Sequence, residues 1–387
     1  MTAPLDLNIP PSTSIVNISI IDTGATFKGL PASALVEPNI PGHEWLGGPC
    51  LAFLIQHPTK DRSLLFDLAM KKDWENWPKK FLEFFLGTGA TTVVPTDVRT
   101  VLNKHGVDTM KIEGVIWSHT HFDHVGDVST LEKGTKIIVG PGTKKAVFPG
   151  YPTNPAAQFN ESDVAGHEVD ELNFENSSLK IGGLAAIDYF GDGSLYLLDA
   201  PGHCVGHMCA LARVTSNPDS FILMGGDAVH HGGELRPHHW HPLPDSILPN
   251  PFNVTSPAPC PGDIFHKLLL GGKDAPFYEP SRKSWSYHTD VPTMLETIKS
   301  SKKLMPMTMS LSSPHMMRGF KRQSISFPRQ QTLLWRKVGF RRRGGRGWPT
   351  LPKQLVKTII FPGRFSETSG RLLRKRNRVL ENGGHGG

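Results

Sequence analysis

The chain has 387 residues, 38% of them hydrophobic, with 42 Lys and Arg, 35 Asp and Glu and four cysteines. That is enough apolar content for one large or two ordinary domains. The sequence has no apolar run of the roughly 18 residues a membrane span needs, and M-T-A-P-L-D-L-N-I-P-P lacks the basic-then-apolar order of a secretory signal. Cys50, Cys204, Cys209 and Cys260 form no C-x-x-C and no disulfide framework, so a reducing, cytoplasmic setting is expected, with no membrane partner. H-C-V-G-H-M-C (His203 to Cys209) fits none of the usual structural zinc spacings.

Alternating apolar patterns predict strands over Ser14–Ile21, Leu51–Ile55 and Ser63–Phe66, the last ended by Asp67. Lys71 to Phe85 reads as an amphipathic helical stretch interrupted at Pro78, and Val98–Val107 as a short helix stopped at Gly106. Strands follow over Ile112–Trp117, Lys136–Gly140, Gly182–Tyr189, Ser194–Leu198, Cys209–Val214 and Phe221–Met224, then a helix over Pro292–Ser300. Strand-rich halves joined by helices predict two sheets packed face to face with helices outside.

The first concentration of chemistry is S-H-T-H-F-D-H-V-G-D (Ser118 to Asp127), directly after an apolar strand. Alternate side chains on a strand share a face, so His119 and His121 are expected to grip one metal together. Asp123 and His124 come after the chain turns and can reach a second ion. Imidazole and carboxylate suit zinc, and less exclusively iron, manganese or cobalt.

H-T-H-F-D-H resembles the H-x-H-x-D-H signature of the metallo-β-lactamase superfamily. Two later stretches agree in order. D-A-P-G-H-C-V-G-H (Asp199 to His207) resembles the family's P-G-H loop, which carries a ligand role to His203. G-G-D-A (Gly225 to Ala228) resembles the loop of the bridging aspartate, which carries that role to Asp227; its two glycines are expected to allow close backbone approach. The resemblance spans roughly residues 14 to 304 and is nearest to the branch that includes the N-acyl homoserine lactonases. It implies an α+β fold, the αβ/βα four-layer sandwich, with the metals at one edge. His119, His121 and His203 would hold one Zn2+, Asp123 and His124 the other, and Asp227 would bridge the two. The implied chemistry is hydrolysis by a hydroxide shared between ions about 3.5–4 Å apart, with Asp123 steering the proton. His230 stands where the lactonases have a tyrosine that touches the substrate carbonyl, so a catalytic hydrogen-bonding role is expected there.

Other residues keep two readings. His207 fits a supporting role better than a ligand role. His231, His238, His239 and His241 crowd a loop that is either solvated or a wall of the pocket. Trp74, Trp77, Phe81 and Phe84 form either an apolar lid or the core face of a helix.

The end of the chain departs from the family. From Ser301 on there are 20 basic and 2 acidic residues, against 22 and 33 before it, so −11 is followed by +18. The family's last histidine, at the end of an apolar strand, has no counterpart after Leu304. Methionine has a single codon, which allows part of the DNA to be inferred. Shifting the frame at Met305 permits an apolar strand running into His-Asp where the family has one. Residues 1–304 are therefore expected to be the catalytic domain without its last strand and following helix. Residues 305–387 are expected to be a basic, low-order tail read out of frame rather than a nucleic-acid arm. In the alternative, His315 serves as the ligand. The functional expectation is a metal-dependent hydrolase of a small molecule. A lactonase comes first, with a lactamase acting on a cyclic amide or carbamate, or a thioesterase, as alternatives. No basic cluster for a CoA or glutathione tail stands out before residue 300. From another class, the chain could be an inactive remnant that has lost a ligand, or a basic-tailed binding protein.

Overall fold

The short apolar repeats pair into two sheets in this computed structural model, which describes residues 6–253, 255–304 and 354–358. The first sheet has seven strands in the order Thr91–Val93, Asn17–Pro31, Trp45–His57, Arg62–Phe66, Ile112–Ile116, Lys136–Val139 and Val169–Glu171. Pairing is antiparallel as far as Arg62–Phe66 and parallel from there on. The second sheet runs Gln354–Thr358, Asp219–Met224, Met208–Thr215, Leu195–Asp199, Leu184–Asp188 and Lys180–Ile181.

The period of two sorts side chains between layers. Leu64 and Phe66 face the second sheet and meet Leu195, Leu197, Met208 and Met224 there. Leu65 points the other way, onto Val98, Val101 and Leu102 of the helix Val98–Lys104. Each fully buried Leu or Phe contributes about 1.5–3 kcal/mol of transfer free energy. On the far side, Tyr196, Leu198, Leu211 and Leu223 pack with Leu304 of the helix Val291–Leu304. Helix, sheet, sheet and helix thus form the expected four-layer sandwich.

Two strand ends position the site. Ile112–Ile116 and Asp219–Met224 both end at the same rim, where the chain leaves the sheets and turns toward the partner layer. The outer edge of Asp219–Met224 is covered by Gln354–Thr358, parallel, with Asp219 opposite Gln354 and Leu223 opposite Thr358. The sequence reading left this edge without a strand; the structure places one there, from within the basic tail. Open backbone donors and acceptors accept any extended segment, whatever its side chains. Q-L-V-K-T is followed by Ile359, Ile360 and Phe361, so no His-Asp pair follows this strand in the sequence. The rest of the tail, His315 included, lies outside the described residues.

Candidate metal centre

The strand before the histidine motif stops at Ile116, earlier than its apolar run suggests. Trp117 still donates its N–H to the Ile138 carbonyl (2.9 Å), but the Ser118 N–H turns to Asp67 Oδ1 (2.7 Å). His119 and His121 therefore lie on a loop, and their convergence is not the same-face geometry of a strand. They meet through different ring atoms: His119 Nε2 is 3.0 Å from His121 Nδ1. His203 Nε2 approaches the same His121 nitrogen to 2.9 Å. His121 also caps the helix Phe122–Val125, which carries Asp123 and His124.

Asp227, three residues beyond its strand, divides its two oxygens. Oδ2 faces His203 Nε2 (3.5 Å) and His119 Nε2 (3.7 Å), while Oδ1 faces His124 Nε2 (3.1 Å). Asp123 Oδ2 lies 3.7 Å from His124 Nε2. One carboxylate thus spans two clusters, one of three imidazoles and one formed by His124 and Asp123.

Burial sets the charge states of the first cluster. It holds His119 and His203 well below the usual histidine range and His121 down to about 3, so all three are neutral. Burial pushes Asp123 up to about 6. For Asp227 burial also raises the pKa, but His124 and His230 outweigh it and hold the carboxylate well below its ordinary value.

The tautomers can be read from hydrogen bonds. Ser118 Oγ donates to Asp67 Oδ2 (2.9 Å), so it accepts from His119 Nδ1 (3.0 Å), leaving a lone pair on His119 Nε2. His124 Nδ1 donates to Asp67 Oδ2 (2.8 Å). Burial lowers its pKa, but the carboxylates of Asp227, Asp123 and Asp67 outweigh this and raise it, so its Nε2 also carries a proton toward Asp227 Oδ1, and an ion would take that proton's place. His119 Nε2 and His203 Nε2 both crowd the one His121 Nδ1, which can share at most a single proton with them, a poor hydrogen-bonding arrangement and a good chelating one. The donor set, nitrogens with a shared carboxylate, fits divalent transition ions.

His207 is tied at both nitrogens: Nδ1 donates to the Ala200 carbonyl (2.8 Å) and Nε2 accepts the Asp227 N–H (2.9 Å). It holds the Asp227 backbone and has no lone pair left for an ion. Of the two glycines in the Asp227 loop, only Gly226 is required. Its φ is +49°, and a Cβ there would lie 2.8 Å from both His207 Nε2 and Ser118 Cβ; a Cβ on Gly225 would meet nothing.

His230 Nε2 lies 3.1 Å from Asp227 Oδ2, and its Nδ1 is buried without a partner. It lies beside the cluster, and its Nε2 proton is committed to Asp227. Three further residues of the site went unassigned in the sequence: Asp67, Tyr287 and His288. Asp67 had a signal, a carboxylate directly after the buried strand Arg62–Phe66, like Asp227 after its own strand. Tyr287 and His288 sit in S-Y-H-T just before a helix, and no local pattern marks them.

The aromatic stretch divides between its two readings. Trp77 and Phe81 are buried in a cluster with Phe85 and Phe122, as a core face. Phe84 is 53% exposed and packs its ring edge on Tyr287, and Trp74 is only partly buried against the core. His238 is buried and bridged to His241 by backbone hydrogen bonds; His231 meets Tyr278 edge to face; His239 is exposed. None of the four lines the cavity over the cluster.

The Lactamase_B model, described as the metallo-beta-lactamase superfamily, matches residues 45–256, more than half of the chain. The chain belongs to that superfamily. Among curated relatives, Gamma-lactamase FDB1 of Fusarium pseudograminearum is 44% identical over 284 residues, 72% of this chain and 68% of the relative. Gamma-lactamase MBL2 of Gibberella moniliformis is 46% identical over 220 residues, 56% of this chain and 92% of the relative. A solved quorum-quenching N-acyl homoserine lactone hydrolase is 15% identical, with a TM-score of 0.46, over 76% of this chain and 88% of that one. The superfamily member described here is a metallo-hydrolase by family and carries the superfamily's fold. No helix among its described residues is long and apolar enough to cross a membrane.

Proposed function

We propose that the chain is a two-zinc hydrolase that opens the ring of a small, uncharged cyclic acyl compound. The γ-lactam stands ahead of the lactone because two relatives above 40% identity carry the name γ-lactamase. The observation that carries the reading is the cavity over the His/Asp cluster. Its volume is about 220 Å³, its wall includes Phe27, Leu30, Leu46 and Phe122, and among the described residues no Lys or Arg lines it. A cavity of about 150 Å³ admits benzene, so this one suits a ring system somewhat larger. A phosphate-bearing CoA tail or an anionic glutathione finds no Lys or Arg among these lining residues, which disfavours the thioesterase alternative.

In this reading His119, His121 and His203 hold one ion, His124 and Asp123 the other, and Asp227 spans both. Ions held there would supply Lewis acidity, lowering the pKa of water and polarising an acyl oxygen. The chain's own groups do the rest. Asp123, beside the cavity, would accept and return the proton that moves during turnover. Apolar walls exclude bulk water and hold the ring face. His230 keeps its Nε2 proton on Asp227. The free donor is the Tyr287 hydroxyl, buried, without a partner, on the cavity wall. It is placed to donate to the acyl oxygen as negative charge builds there. His230 in turn steadies the Asp227 carboxylate.

The test is hydrolysis by the full chain reconstituted with Zn2+, comparing a benzo-fused γ-lactam or carbamate with a homoserine lactone, with and without chelator. Turnover of the neutral ring compound that chelator abolishes supports the reading. A preference for a charged thioester, or turnover indifferent to chelator, overturns it.

A further inference from the structure

His288 precedes the helix Val291–Leu304, far in sequence from every motif above, yet its ring is buried against His203. The two Nδ1 atoms are 3.2 Å apart. Two nitrogens at that distance share one hydrogen bond only if one of them carries a proton and the other does not. The rest of the geometry decides which. His288 Nε2 lies 2.6 Å from the Leu35 carbonyl oxygen, which can only accept. The proton of a neutral His288 is therefore on Nε2, and its Nδ1 is a lone pair. His203 must then carry its own proton on Nδ1, which leaves Nε2 bare, and Nε2 is the atom facing His121 and Asp227.

We propose that His288 is the positioning residue of the first cluster, accepting the Nδ1 proton of His203 and fixing its ring and tautomer through the Leu35 carbonyl. The inference rests on the reading of His203 as a metal ligand and adds the residue that sets its orientation. The anchor is built from both sides. The Leu35 carbonyl also accepts the Ser281 N–H (3.1 Å), and the Tyr287 N–H donates to Ala34 (3.1 Å). From the same segment, the Thr289 N–H donates to the His203 carbonyl (2.9 Å) and the Asp290 N–H to Gly202 (2.9 Å). The loop that carries His203 is thus held at backbone and ring by one stretch of chain. Histidine ligands to metals usually donate their far N–H to a carboxylate or a carbonyl. Here a second imidazole relays that bond to a carbonyl on the first sheet's side.

Two measurements on the full chain test this. In the metal-free protein, long-range ¹H–¹⁵N spectra of the histidine rings should show His203 protonated on Nδ1 and His288 on Nε2; the Nε2–H form of His203 would overturn the proposal. In chelator competition with Zn2+, H288L should weaken binding by about 10–100-fold. H288N places an acceptor oxygen near the former Nδ1 and should recover most of that loss. Equal melting temperatures of the metal-free variants would show that the fold is unchanged. H288L binding Zn2+ as tightly as the parent overturns the positioning role while leaving the metal reading intact. A parent chain that binds no Zn2+ overturns the metal reading and this role with it, whatever tautomer the spectra show.

Discussion

The carboxylate of Asp67 accepts the Nδ1 proton of His124 at 2.8 Å and the Ser118 N–H at 2.7 Å. One side chain therefore orients the imidazole of the second cluster and bends the backbone that delivers the first. D67N should weaken binding of the second ion more than the first, on the order of 10–100-fold for the former. Stepwise Co2+ titration followed by absorbance reads the two events separately. Equal weakening of both, or none, would remove the orienting role.

Tyr287 offers a test that separates catalysis from packing. Its hydroxyl is buried without a partner, a state that costs folding free energy. Y287F should leave melting temperature unchanged or slightly higher and Zn2+ content unchanged, while kcat falls roughly 10²-fold. A Y287F enzyme with the parental kcat would return the donor role to His230.

Gly202 adopts φ +120°, and a Cβ there would lie 2.2 Å from Met294 N in the first turns of the helix Val291–Leu304. The neighbour cannot yield easily, because Met294 N and Cα (2.4 Å) are backbone. G202A should cost about 2–4 kcal/mol and lower Zn2+ affinity by displacing His203 next to it. Urea unfolding of the metal-free protein measures the first effect; a loss under 1 kcal/mol would contradict the packing account.

A pH dependence follows from Asp192, which joins the two sheets away from the metal centre. Burial raises its pKa, but bonds from Ser194, His57 (2.7 Å) and Lys60 (3.0 Å) more than reverse this and hold it below the ordinary value. A depressed carboxylate stabilises the fold above its unfolded pKa of about 3.9, and that contribution fades as pH falls toward the folded value. D192N should therefore be less stable than the parent at pH 7, with the gap closing below about pH 4. Urea midpoints across that range check the sign, and a gap that widens on acidification would refute it.

The end of the chain makes its own prediction. Gln354–Thr358 covers the sheet edge but runs into Ile359, Ile360 and Phe361 rather than a His-Asp pair. The full 387-residue chain should bind one Zn2+ tightly through His119, His121 and His203 and a second weakly. Replacing the segment after Leu304 with the shifted-frame sequence ending in His-Asp should tighten the second ion. Two ions bound with equal strength by the present chain would show that the second cluster is complete. Transcript reads through codon 304 decide separately whether the frame shift is real.

Much of the scaffold was legible because its strands are buried on one or both faces and announce themselves by apolar alternation. The first strand was not: it runs to Pro31, ten residues past the predicted end at Ile21, because register shifts after Asp22 and Lys28 and a left-handed Gly24 break the alternation without breaking the pairing. The ligand-type residues His119, His121, Asp123, His124, His203 and Asp227 were visible as motifs, and the fold brings them together. Their arrangement was not visible. The same-face argument for His119 and His121 presumed a strand that Asp67 ends. Asp67 and His288 could not be found by spacing, since they act on His124 and His203 across 57 and 85 residues.

The position of Gln354–Thr358 bears on how the protein behaves when shortened. Asp219–Met224 carries Asp227 a few residues beyond its end, and its outer backbone is satisfied by a segment from far down the chain. A product that stops at Leu304 would bare that row of donors and acceptors beside the rim that carries the His/Asp cluster. Such an uncovered rib recruits a second molecule as readily as it recruits its own tail, so solubility and the bridging carboxylate's alignment share one dependence.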